Sequence, residues 1–132
     1  MKILFVCSGN AHRSPLAEAL LKNLRADIDA DSAGIDVAIP ISEKIREYLA
    51  KQDADQYLKK NPEGLYSKQL NKYDFIIAME QKHKNYVISK CPECKSKITV
   101  WNIADPYFMS KKDAEKTYKQ IEKKVTKLAE SL

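Results

Sequence analysis

Ile3-Leu4-Phe5-Val6-Cys7-Ser8-Gly9-Asn10-Ala11-His12-Arg13-Ser14-Pro15 decides how this chain is read. Lys2 to Val6 is apolar without alternation after Lys2, the pattern of a strand buried on both faces of a parallel sheet. A small polar loop follows, and Ser14-Pro15 opens a helix, with Ser14 as the expected cap and Pro15 in the first turn. Strand, loop and helix start together build an oxyanion site from one continuous segment. Gly9 and Asn10 both tolerate the left-handed backbone that curls a loop around a small anion. Successive N–H groups of such a loop form an anion nest, and the following helix points its positive end at the same place. Arg13 adds a planar fork matched to two phosphate oxygens. Cys7 sits at the floor, where these donors stabilise a thiolate nucleophile. The plainer reading of Cys7 is a buried cysteine at a strand end, since free cysteines are commonly buried.

Working outward, strand and helix alternate. Ile28 to Ala33 is expected to be the second strand, Phe75 to Met79 the third and Ile98 to Trp101 the fourth. Leu16, Ala17, Leu20, Leu21 and Leu24 form one apolar helical face. Ser42 starts a helix carrying Ile45, Tyr48 and Leu49, and another helix runs near Gln81 to Ser89. Ala114, Tyr118, Ile121, Val125 and Leu128 repeat at helical spacing in a long terminal helix. The expectation is an α/β fold: one domain, 1–132, with a doubly wound four-stranded parallel sheet, helices on both faces and right-handed crossovers. Such sheets bind ligands at the carboxyl ends of their strands, where Cys7 and Asp105 both fall. A length of 132 residues suits a single core. Lys60 to Gly64 is the one loop-like stretch of note.

Composition narrows the function. No apolar run approaches a membrane span, and Ile3 to Cys7 is too short for a signal peptide, so a cytoplasmic protein without a membrane partner is expected. Three cysteines, an odd number, argue against a disulfide framework. The net charge of +5 lies largely in the terminal helix, where Lys111 to Leu132 holds seven lysines against four carboxylates. Without aromatic interleaving this reads as a solvated face, or a rim that steers phosphorylated substrates, and not as a nucleic-acid surface. Cys91-Pro92-Glu93-Cys94 is half a zinc site with no second pair; it either closes a local disulfide or leaves two surface thiols.

Val6 to Glu18 resembles the signature of the low-molecular-weight protein tyrosine phosphatases, at the N-terminal place that family gives it. Asp105-Pro106-Tyr107-Phe108 is similar to the family's Asp-Pro-Tyr stretch, which carries its general acid. Asp31-Ser32-Ala33-Gly34, Ser67-Lys68-Gln69-Leu70 and Tyr73 to Glu80 are fainter echoes in family order. The resemblance implies a flavodoxin-like sheet of the phosphotyrosine phosphatase I type and a metal-independent, cofactor-free phosphomonoesterase. Cys7 would be the nucleophile, Arg13 the phosphate clamp and Asp105 the general acid and base. The phosphate loop would be Ser8, Gly9, Asn10, Ala11, His12 and Arg13, with Asn10 holding its shape and Ser14 donating to the sulfur. Tyr107 and Phe108 would wall the cleft for a phenyl ring. The implied partner is a phosphorylated protein or small aryl phosphate, met by a monomer.

Departures from the pattern leave rivals. His12 stands where the family usually has a second cysteine, and either lends charge to Cys7 or packs. Ala38 falls near the family's aromatic wall, and Ala11 where phosphoarginine-specific relatives have threonine. Leu65-Tyr66 stand where many members have a loop-supporting histidine. Arsenate reductases of this fold relay electrons through two cysteines just after the third strand, where this chain reads Met79-Glu80-Gln81. A non-enzymatic phosphate-binding module is the remaining alternative, although binding alone requires neither Cys7 nor Asp105.

Overall fold

The computed structural model describes residues 1–132. Four parallel strands, β1 (Lys2–Cys7), β2 (Asp29–Gly34), β3 (Phe75–Ala78) and β4 (Ile98–Val100), form one sheet in the order β2-β1-β3-β4. This is the flavodoxin-like order, and the β1/β3 junction is its switch point. The apolar run of β1 is paired on both sides, so Ile3, Leu4, Phe5 and Val6 are fully buried.

The four helices are α1 (Arg13–Leu24), α2 (Glu43–Ala50), α3 (Gln81–Lys90) and α4 (Lys111–Ser131). Core residues of α1, α2 and α4 pack with Ile3, Phe5 and Cys7 on one face of the sheet. Val87 of α3 packs with Leu4, Val6, Cys91 and Cys94 on the other. The chain from Lys51 to Asp74 holds no α-helix or strand, only 3₁₀ turns at Asp55–Tyr57, Leu65–Ser67 and Leu70–Lys72.

Several local expectations are corrected. Ser14 does not cap α1: His12 is the N-cap, with no side-chain cap bond, and Ser14 lies inside the first turn with its hydroxyl turned back to the loop. Ser42 does cap α2, accepting from Lys44 N–H. Leu24 is 48% exposed, because α1 ends there and its face has turned to solvent. On α4, Ala129 is buried while Leu128 packs only partly, consistent with a 3.6-residue turn drifting off the four-three count. The 91/94 cysteines are paired with each other and buried, so they are not surface thiols.

Candidate active site

β1 delivers Cys7 to the carboxyl edge of the sheet, and the chain then turns through Ser8–His12 into α1. Asn10 takes the left-handed conformation, with φ of 53°, whereas Gly9 does not have positive φ. Outward-facing carbonyls hold the loop: Cys7 O accepts from Ile35 N–H at 3.1 Å, Ser8 O from Asp36 N–H at 2.8 Å and Ala11 O from Ser42 N–H at 2.9 Å. None of the backbone N–H groups from Ser8 to His12 donates to a protein acceptor. A run of uncommitted donors costs stability unless something accepts from them, and an anion is the natural acceptor.

A glycine outside the loop makes it possible. A Cβ on Gly34 would lie 2.7–2.8 Å from Asn10 N, Gly9 C and Ser8 O, all backbone atoms. At Gly9 the same atom would meet nothing nearer than 3.9 Å. Gly34→Ala is therefore expected to push the loop open, lowering stability by about 1–3 kcal/mol and weakening phosphate binding. Gly9→Ala is expected to change stability by less than about 0.5 kcal/mol. Thermal melts with and without inorganic phosphate check both, and equal behaviour of the two variants would refute the assignment of Gly34.

The network behind the loop sets the direction of each hydrogen bond. Ser32 Oγ donates to the buried Glu18 carboxylate at 2.6 Å, so it accepts from Asn10 Nδ2 at 2.9 Å. Asn10 Nδ2 also donates to Ser14 Oγ at 2.8 Å. Ser14 is thereby left with its own hydrogen, for which Cys7 Sγ at 2.9 Å and Ala33 O at 3.5 Å are the acceptors within reach. Asn10 Oδ1 accepts from Glu63 N–H at 2.8 Å and from Lys59 Nζ at 3.3 Å. Lys59 spends its remaining donors on Ser32 O and Glu63, and Glu18 lies 3.6 Å off. Glu18 closes the signature segment, but nothing in the sequence assigned a role to it, to Lys59 or to Glu63; Lys59 supports Asn10 here, where Leu65-Tyr66 supply no such contact.

Arg13 is 2% exposed. Its guanidinium donates to Glu80 at 2.5 Å and to Ile103 O at 2.7 Å, with Ser8 Oγ at 3.4 Å and Asp105 Oδ2 at 3.7 Å. Burial alone would raise the Glu80 carboxyl, but the bond to Arg13 outweighs it and holds the group below its ordinary range. His83, buried on α3, accepts Glu80 N–H at Nδ1, so Nε2 carries the hydrogen and donates to Ser8 Oγ at 2.9 Å. Burial, then Arg13, pushes His83 down to about 4, so the ring is neutral at pH 7. Ser8 therefore keeps its hydroxyl hydrogen uncommitted.

A cleft of about 170 Å³ opens at Cys7, and its lining includes His12, Tyr107, Asp36, Ala38 and Ile39. Ala38 lines this cleft and contributes no aromatic surface to it. His12 packs edge-on to Tyr107, with ring centroids 6.1 Å apart. Burial chiefly lowers its pKa, with Arg13 and Lys44 adding to the effect against Asp105, so packing describes it better than charge donation. Phe108 departs from the expectation: it is 94% exposed, off the cleft, stacked edge-on against Tyr107. Asp105 Oδ1 accepts Tyr107 N–H at 3.0 Å, which fixes the carboxylate at the cleft mouth.

The family profile for low molecular weight phosphotyrosine protein phosphatases matches residues 2–132, and the chain belongs to that family of enzymes. Among its relatives, the low molecular weight protein-tyrosine-phosphatase Wzb of Salmonella typhi is 31% identical over 139 residues, covering 99% of this chain and 93% of that protein. A protein-arginine-phosphatase of Geobacillus stearothermophilus is 27% identical over 141 residues, covering 99% and 95%. The crystal structure of a low molecular weight protein tyrosine phosphatase from T. tengcongensis superposes with a TM-score of 0.89 at 30% identity, covering 100% and 99% of the two chains.

Proposed function

We propose that the chain hydrolyses phosphomonoesters on protein side chains, phosphotyrosine first, through a phosphocysteine. The observation that carries this is the run of uncommitted N–H groups from Ser8 to His12 that directly follows Cys7. In the first step the Cys7 thiolate attacks phosphorus in line. The S–P bond forms as the P–O bond to the substrate breaks, and Asp105 gives its proton to the leaving oxygen. The loop amides and Arg13 hold the three equatorial oxygens. In the second step Asp105 takes a proton from water, whose oxygen attacks phosphorus and expels the thiolate, which Ser14 receives with a hydrogen bond. No step calls for a metal or cofactor.

A second substrate reading rests on Asp36, whose carboxylate shares the cleft with Asp105. Two carboxylates suit the guanidinium of phosphoarginine better than a neutral phenyl ring. A thiol relay for arsenate is disfavoured, because Cys91 and Cys94 are bonded to each other and packed in the core cluster opposite to that of Cys7.

The test is turnover by purified protein of matched phosphotyrosine, phosphoarginine and phosphoserine peptides, with and without chelator. Phosphotyrosine hydrolysis unaffected by chelator is expected. A rate on phosphoarginine tenfold above phosphotyrosine would shift the reading to the second substrate. Thioredoxin-dependent arsenate reduction would replace it.

A further inference from the structure

Tyr66 is 95% exposed, yet the turn that carries it is tied to the phosphate loop. It sits in the Leu65–Ser67 turn, which is closed by Ser67 Oγ donating to Gly64 O at 2.7 Å and anchored by the buried Leu65. The ring lies over Gly64, where a Cβ would fall 2.3 Å from it. Gly64 bridges to Gly34, and Gly34 backs Ser8, Gly9 and Asn10. Three backbone layers therefore tie this ring to the loop holding Cys7.

Two clefts flank the ring. One, of about 360 Å³, is lined by Ile35, Asp36 and Val37 together with Leu65, Tyr66 and Tyr86. The second, of about 390 Å³, continues beyond Tyr66 and Tyr86 toward Leu70. The first shares Asp36 with the catalytic cleft, and Asp36 is the only charged residue lining it. These two clefts meet at Asp36, so a trough of adjoining clefts leads from Cys7 to the two tyrosines. A residue seated at Cys7 leaves its polypeptide on this rim, and an exposed apolar surface continuous with a binding cleft marks contact with a partner.

We propose that this trough holds the polypeptide flanking the phosphorylated residue, with an apolar side chain against Tyr66 and Tyr86 and a basic one beside Asp36. The occupant is the substrate chain itself, so the inference rests on the phosphatase reading above. Tyr66 is then a specificity-determining residue, acting on protein substrates and not on small aryl phosphates.

The experiment compares two substrates: p-nitrophenyl phosphate, and a phosphotyrosine dodecapeptide with leucine two positions to either side and a flanking arginine. Tyr66→Ser is expected to lower kcat/KM on the peptide about 5–20-fold, through KM, a usual range for truncating a central contact aromatic. Its rate on p-nitrophenyl phosphate should stay within twofold, and Tyr66→Phe should restore the peptide. An unchanged peptide kcat/KM in Tyr66→Ser, or equal losses on both substrates, would overturn the trough while leaving the phosphatase reading standing. Failure of the unaltered chain to hydrolyse either substrate would overturn both.

Discussion

Cys7→Ser is expected to abolish hydrolysis of phosphotyrosine peptide while leaving oxyanion binding largely intact. A serine hydroxyl here would have Ser14 Oγ as its hydrogen-bond partner, a group that takes no proton from it. A thiol is the more readily ionised group and the better nucleophile. Loss of a covalent nucleophile is expected to cost on the order of 10⁴-fold or more. The N–H groups of Ser8–His12 and the Arg13 guanidinium are untouched by the change, so inorganic phosphate should still raise the melting temperature. Phosphate release and a melting curve with phosphate check the two halves. Substantial turnover by the serine variant would remove Cys7 from the chemistry, and loss of phosphate stabilisation would mean that the sulfur shapes the loop.

Asp105→Asn is expected to slow phosphotyrosine hydrolysis by about 10²–10⁴-fold, the usual worth of general acid catalysis. Asparagine keeps the oxygen that accepts Tyr107 N–H, so the cleft mouth keeps its shape and only the transferable proton is lost. The loss should be several-fold smaller on p-nitrophenyl phosphate, whose leaving group departs with little protonation. Parallel kcat measurements on the two substrates decide the matter. Equal losses would assign Asp105 a structural part, through its 3.7 Å approach to Arg13.

Much of the fold was legible because it is written in local patterns. β1 is an unbroken apolar run, the Ser42 cap precedes a short amphipathic helix, and α4 repeats its apolar residues at helical spacing. What misled was local too. Ser14 looks like a cap but lies two residues beyond the true cap, His12, and its hydroxyl is taken up by Asn10 and Cys7. Phe108 looks like a partner of Tyr107 in lining a cleft, but successive residues in that loop point in different directions. Cys91 and Cys94 left two readings open in the sequence. The turn at Pro92–Lys97 brings them together beneath α3, and the disulfide is the one found.

The sequence by itself determined the class of site: a strand ending in Cys7, a loop with Asn10 able to turn left-handed, Arg13 at a helix start, and a distant Asp105. Those features are contiguous or lie at strand ends, where period and turn chemistry announce them. Only the tertiary structure decided what holds the site in shape. Glu80 reaches Arg13 from 67 residues away, His83 reaches Ser8 from 75, and Lys59 reaches Asn10 from 49. Gly34 matters solely because Ser8, Gly9 and Asn10 press against it. Glu and Lys are commonplace on solvent faces, so their types carry no signal of burial. Their role follows from the hydrogen-bond demand of groups that folding brings beside them, and that demand does not exist until the sheet has assembled.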